Sequence, residues 1–191
     1  FEYDQVTNAW SQKATFPGAP RYGTYGSALN GKGYAGFGKD DAFNISYDDW
    51  WEYDPLNNLW TGKANYPGIG RSYPSGFALI NKIYLGTGKF TPNDFYEYDP
   101  LMDLWTQNQS FPGGSRWVAT GFSIDSIGYF GTGFDSINYH RDFWEFSPDT
   151  STSISENYFL NDNVAVFPNP FVAEITLQFK NGTAKNLRFK L

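Results

Sequence analysis

The sequence predicts an all-β fold, and three observations carry that prediction. No window places apolar residues at a sustained i, i+3, i+4 spacing, and glycine or proline interrupts every stretch. Short runs rich in aromatic and β-branched residues lie between turn signals such as Asp99-Pro100 and Pro112-Gly113. One series of residues also returns along the chain, and a period of roughly 20–50 residues marks a repeat architecture.

The clearest unit runs from Asp49 to Gly88. It opens on Asp49-Trp50-Trp51-Glu52-Tyr53-Asp54-Pro55, passes Trp60, Pro67-Gly68 and Arg71, and closes on Gly86-Thr87-Gly88. The series recurs as Asp94 to Pro100, Trp105, Pro112-Gly113, Arg116 and Gly131-Thr132-Gly133. An earlier copy shows as Phe1 to Asp4, Trp10, Pro17-Gly18, Arg21 and Gly36-Phe37-Gly38, and a last, partial one as Asp142 to Pro148. The positions Asp4, Asp54, Asp99 and Ser147 are 50, 45 and 48 residues apart; the segments Gly38 to Asp49, Gly88 to Asp94 and Gly133 to Asp142 take 11, 6 and 9 of these, leaving 39 each time. The frame is constant, and all length variation sits in one loop per repeat, as in a scaffold that presents variable loops on one face.

Within a repeat the pattern predicts four strands. Ser75 to Ile80 is expected as the first, with a tight turn at Asn81-Lys82, then Ile83 to Gly86 as its hairpin partner. Phe95 to Tyr98 follows, Asp99-Pro100 starts a turn, and Leu104 to Gln107 is the fourth. Four short strands per roughly 45 residues is the spacing of a propeller blade. Aromatics such as Trp51, Tyr53, Trp60, Tyr96, Tyr98 and Trp105 are expected to fill the space between stacked sheets.

Composition narrows the function classes. The formal charge of −6 argues against a nucleic-acid partner, which needs a basic face. The chain has no cysteine, which removes disulfides, thiolate metal sites and a cysteine nucleophile. No apolar run approaches the roughly 18 residues of a membrane span. The chain opens at Phe1 inside a strand motif and is expected to be a piece of a longer one, so a missing leader carries no weight.

The glycine pair closing the second strand, the aromatic-Glu-Tyr-Asp-Pro strand and the Trp six residues after its Asp resemble the kelch repeat of galactose-oxidase-like propellers. Here the glycines are split by one residue, a departure from the family's adjacent pair. The resemblance implies a partial kelch-type β-propeller over residues 1–149: two strands of one blade, two whole blades and three strands of a last one. Residue 153 is Ser where the next Trp falls due, and residues 150–163 read as a linker or a weak substitute strand. From Val164 the tail reads Val166-Phe167-Pro168-Asn169-Pro170-Phe171, then an alternating run from Ile175 to Phe179, a turn at Asn181-Gly182 and a run from Leu187 to Leu191. It resembles the start of the C-terminal sorting domain of type IX secretion cargo. That implies an incomplete β-sandwich over residues 164–191, the secretion machinery as a partner, and a secreted or outer-membrane-surface location in a Gram-negative bacterium.

Arg21, Arg71 and Arg116 recur between the Pro-Gly turn and the first strand. They read either as a ring of cations for an anionic ligand or as scaffold residues bonding neighbouring carbonyls, and strict recurrence favours the scaffold. Glu52, Glu97 and Glu145 recur likewise and read as strand-pairing or solvated residues rather than acid–base groups. Asp40, Asp41, Asp48, Asp49, Asp94 and Asp135 lie in or beside the variable loops without EF-hand spacing, so solvated charge is preferred over calcium. His140 is the only histidine, so neither a zinc triad nor a Ser-His-Asp triad is supported, and no catalytic residue, cofactor or metal site is assigned. The loop aromatics Phe43, Tyr47, Phe90 and Tyr139 could stack on sugars or simply pack. Because strands alternate direction, the variable loops 39–48, 89–93 and 134–141 open on the same face as the arginine-bearing links. That face is expected to bind a glycan or a protein. The alternative is a carbohydrate-active enzyme (a sugar oxidase, sialic-acid epimerase or sialidase-like protein) with its catalytic residues mostly outside this piece.

Overall fold

Each repeat folds into an antiparallel meander whose strands pair in chain order. The structure, a computed structural model, describes residues 1–42 and 44–148 and the strand backbones Val164–Phe167, Glu174–Phe179 and Arg188–Lys190. The chain divides into two units, Phe1–Pro148 and Asp149–Leu191. The first unit begins with the hairpin β1 (Glu2–Asp4) and β2 (Ala9–Ser11). The next sheet joins β3 (Tyr25–Leu29), β4 (Lys32–Gly36), β7 (Trp50–Asp54) and β8 (Leu59–Lys63), with a small hairpin, β5 (Lys39–Asp40) and β6 (Ile45–Ser46), in its variable loop. A second four-stranded sheet joins β9 (Ser75–Leu79), β10 (Lys82–Gly86), β11 (Phe95–Asp99) and β12 (Leu104–Asn108). A third has three strands, β13 (Thr120–Ile124), β14 (Ile127–Gly131) and β15 (Phe143–Phe146). The described residues contain no helix.

The two-residue strand period explains why the second sheet buries apolar residues on both of its faces. Ile83, Leu85, Tyr98 and Trp105 point to one side and join Tyr34, Phe37 and Trp50 of the sheet before. Phe77, Leu79, Tyr84 and Phe95 point to the other and join Phe130 of the sheet after, with Phe111. Both faces are covered, so strand β10 has no polar face of its own. The contacts are largely edge-to-face, as ring quadrupoles prefer: Trp50 meets Trp105 at 5.6 Å and Phe95 meets Phe130 at 5.6 Å. On the third sheet the matching aromatics Phe122, Tyr129 and Phe143 pair, among the described rings, with one another at 5.5–6.0 Å and stay partly exposed.

The frame residues tie successive repeats together. The indole Nε1 of Trp60 donates to the Ala14 carbonyl at 3.1 Å, and that of Trp105 to the Ala64 carbonyl at 2.8 Å. Beside them Asn58 accepts from the Tyr53 hydroxyl and the Ala14 N–H, each at 2.8 Å. Asp103 does the same job with the Tyr98 hydroxyl at 2.8 Å and the Ala64 N–H at 2.9 Å. The first glycine of each Gly-x-Gly has a steric reason. A Cβ on Gly86 would sit 2.1 Å from the Asp94 carbonyl oxygen, and one on Gly36 would sit 2.1 Å from that of Asp49.

One turn departs from expectation. The β9–β10 hairpin turns at Ile80-Asn81, one residue before the expected Asn81-Lys82, because Lys82 already pairs with Leu79. Ile80 thereby takes φ 57°, the left-handed position that Asn30 (φ 50°) and Asp125 (φ 52°) fill in the other two hairpins. Frame geometry overrides the local preference of a β-branched residue.

In the second unit, β16 (Val164–Phe167), β17 (Glu174–Phe179) and β18 (Arg188–Lys190) form an antiparallel sheet in the order 16-17-18. The Pro168 to Phe171 part of the tail motif, the turn at Asn181-Gly182, Leu187, Leu191 and residues 150–163 lie outside the described residues.

Candidate functional site

The three frame arginines each meet the aspartate that ends their variable loop. Arg71 holds Asp94 with two parallel bonds, Nη1 to Oδ1 at 2.6 Å and Nη2 to Oδ2 at 2.9 Å. Arg116 holds Asp142 in the same way at 2.5 and 3.0 Å. Arg21 Nη1 bonds Asp49 Oδ1. The sequence separations are 23, 26 and 28 residues, yet each arginine lies 17 residues before the second glycine, so only the loop length changes. The same Nη1 atoms also donate to the middle residue of the Gly-x-Gly: Phe37 O at 3.1 Å, Thr87 O at 2.8 Å and Thr132 O at 2.9 Å.

Arg71 and Arg116 are 0% exposed. A ring carries each guanidinium face, Tyr66 at 4.5 Å for Arg71 and Phe111 at 4.9 Å for Arg116. Arg21 lies 3.7 Å over Tyr47, which places Tyr47 in the scaffold rather than on the open surface. These arginines leave no accessible cation ring on the loop face: their charge is matched inside the fold. Asp49 and Asp94 are not solvated loop charges but the matching carboxylates. For Asp142, the Arg116 guanidinium holds the carboxyl below its ordinary range, with Trp144 Nε1 adding a second bond.

What the arginine clamps position is the variable-loop face. The residue after each arginine and the residue after each Gly-x-Gly exchange backbone bonds: Tyr22 with Lys39 at 3.1 and 2.8 Å, and Trp117 with Phe134 at 3.0 and 3.1 Å. In the middle repeat Lys89 N bonds Ser72 O at 2.9 Å. Those bridges line up aromatic rings across two loops. Phe90 meets Trp117 at 5.4 Å, Trp117 meets Phe134 at 5.0 Å, and Phe134 stacks on Tyr139 at 4.7 Å. The end rings are open, Phe90 at 78% and Tyr139 at 86% exposed, while Trp117 and Phe134 are half-buried supports. Lys89 Nζ lies 5.3 Å over Phe90. Among the described residues Lys89 makes no salt bridge.

The polar rim of this ladder is ordered. Asp135 accepts from the N–H groups of Ile137 at 2.8 Å and Asn138 at 2.7 Å, and His140 Nε2 lies 2.9 Å from its other oxygen. Those bonds, the backbone ones first, hold the Asp135 carboxyl well below the ordinary range. In the neighbouring loop Asp41 bonds the Tyr22 hydroxyl at 2.5 Å and Lys39 at 2.9 Å, and its bond to the hydroxyl pushes the Tyr22 phenol up to about 12.

Of the residues expected at a site, Phe90 and Tyr139 fall on one ladder, whereas Arg21, Arg71, Arg116 and Tyr47 serve the scaffold beneath it. Phe43 lies outside the described residues. Trp117 and Phe134 escaped sequence reasoning, although their frame positions, directly after Arg116 and Gly133, were a usable signal. Glu52 accepts from the Tyr34 hydroxyl at 2.8 Å and Glu97 pairs with Lys82 at 2.5 Å, so both are held by strand neighbours. Apart from the ladder, β3, β9 and β13 line a groove of about 430 Å³ at Tyr25, Ser27, Gly76, Ala78, Gly121 and Ser123. Among the described residues no cluster of three His, Asp or Glu side chains could hold a metal ion, and no helix is long and apolar enough to cross a membrane.

Compared with known proteins, the chain matches no family model, and a search of curated proteins finds no significant match.

Proposed function

We propose that this chain is part of a kelch-type β-propeller that acts as a binding module for a glycan or a protein. The observation that carries the reading is the division of labour within the repeat. A constant frame of arginine–aspartate clamps, Gly-x-Gly turns and inter-repeat tryptophans supports loops of variable length, and those loops expose aromatic rings. The four-stranded meanders and the adjoining first strands β3, β9 and β13 support the propeller assignment. The tail motif and the three-stranded sheet that begins at Val164 support a sorting domain, hence export by a type IX secretion system to the medium or the outer-membrane surface.

The experiment is a loop exchange. Replacing residues 134–141 by the shorter 89–93 sequence keeps the frame and removes Tyr139. On a glycan array and against candidate surface proteins, the exchange is expected to abolish binding with an unchanged melting temperature. Binding that survives the exchange would place the ligand elsewhere and sink the loop-face reading.

A further inference from the structure

The aromatic ladder has a property that a packing cluster lacks: its two end rings are the most open and its two middle rings are the most constrained. Trp117 and Phe134 are pinned by reciprocal backbone bonds at 3.0 and 3.1 Å, and each presses on an exposed neighbour, Phe90 or Tyr139. Both exposed rings are therefore held in place before any ligand arrives, so little rotamer freedom is lost on contact. Around them stand hydrogen-bonding groups rather than a pocket. Asp135 is fixed by the N–H groups of Ile137 and Asn138 and by His140, Asn138 Nδ2 lies 3.5 Å from Asp135, and Lys89 covers one side of Phe90.

We infer that this ladder is a binding site for an extended pyranose chain, with Phe90 and Tyr139 as stacking platforms and Trp117 and Phe134 as their supports. The inference rests on the loop-face reading and adds the ligand class and the residues. A pyranose ring offers an apolar C–H face and a rim of hydroxyls. Flat exposed rings bordered by a fixed carboxylate, an amide and an ammonium match both parts. A protein ligand would instead be expected to insert anchors into well-packed pockets surrounded by apolar contacts, and here Ile137 is the one exposed aliphatic residue of the 134–141 loop. The platforms read the C–H face, which neutral and acidic chains share. Lys89 adds a partner for a sugar carboxylate.

The test is affinity electrophoresis of the 191-residue chain through native gels holding either a soluble neutral β-glucan or a uronate-bearing polysaccharide. Retardation is expected in at least one gel, weakened about tenfold by Phe90→Ala and by Tyr139→Ala, a loss on the scale of one aromatic contact. Tyr139→Trp is expected to restore it, and none of these variants moves the melting temperature. Retardation in the uronate gel alone, lost in Lys89→Ala, identifies an acidic chain; retardation in the neutral gel identifies stacking as sufficient. No retardation in either gel, or retardation indifferent to both alanine variants, overturns the glycan site. If a protein ligand then loses binding in those same variants, the loop-face reading stands without the glycan; if every ligand found ignores both the variants and the loop exchange, that reading falls too.

Discussion

Replacing Arg71 by Ala removes the cation of a buried pair and leaves its partners in place. Asp94 loses two charge-assisted bonds at 2.6 and 2.9 Å, and the carbonyls of Thr87 and Ile69 lose donors at 2.8 and 3.0 Å. The Asp94 side chain is only 15% exposed, so water restores little of this. Breaking one partner of a buried ion pair costs about 3–5 kcal/mol. At roughly 2–4 °C per kcal/mol for a unit of this size, the melting temperature is expected to fall by about 6–20 °C. The control is the double variant Arg71→Met/Asp94→Leu, which removes both charges and keeps apolar volume. It is expected to recover at least half of the loss, because a well-packed apolar pair is often as stable as a buried ion pair. Calorimetry on the wild type, Arg71→Met, Asp94→Leu and the double variant closes the cycle, with Arg71→Ala measured beside it. A loss under 1 kcal/mol for Arg71→Ala, or a double variant no more stable than the single, would refute the clamp as the element that holds each variable loop to its sheet.

Further outcomes follow from other frame positions. Ile80→Asn is expected to raise stability by about 1 kcal/mol in a denaturant titration, since it relieves a β-branched residue at φ 57° that is 55% exposed; an unchanged or lower midpoint counts against strain there. Burial opposes ionisation of Asp103, but the bonds from Ala64 N–H and the Tyr98 hydroxyl outweigh it and hold its carboxyl below the ordinary value. Its contribution is thus fully present above about pH 4 and is lost as pH falls through the lowered folded value. Asp103→Asn, which copies Asn58 of the preceding repeat, is expected to flatten the acid limb of the melting-temperature profile; an identical limb in the variant would refute the assignment. Truncating the protein at Val164 is expected to leave it in the periplasm, checked by cell fractionation, and normal export of the truncation would end the sorting proposal.

Much of the fold was legible because a repeat amplifies weak local signals. One aromatic run between turns is ambiguous, but three runs in a 39-residue frame are not. The strand counts of two, four, four and three follow from that frame. The Ile80 turn was not legible, because pairing across β9 and β10 set its register against local preference. The ladder was only half legible. Phe90 and Tyr139 stand out as loop aromatics, whereas Trp117 and Phe134 become neighbours only through a backbone bridge between residues 17 apart.

Sequence by itself determined the period, the strand alternation and the place of each Gly-x-Gly, since each is read along the chain; that a Cβ on the first glycine would strike a carbonyl was decided by the pairing of the next strand. It also marked Arg21, Arg71 and Arg116 as special without saying what they bind. Tertiary structure decided that. A guanidinium takes whichever carboxylate lies within reach, and reach is a distance in space: Asp49, Asp94 and Asp142 stand 28, 23 and 26 residues away yet arrive at the same place because the loop between them closes on itself. The same closure decided which rings are buried under the loops and which are left facing solvent.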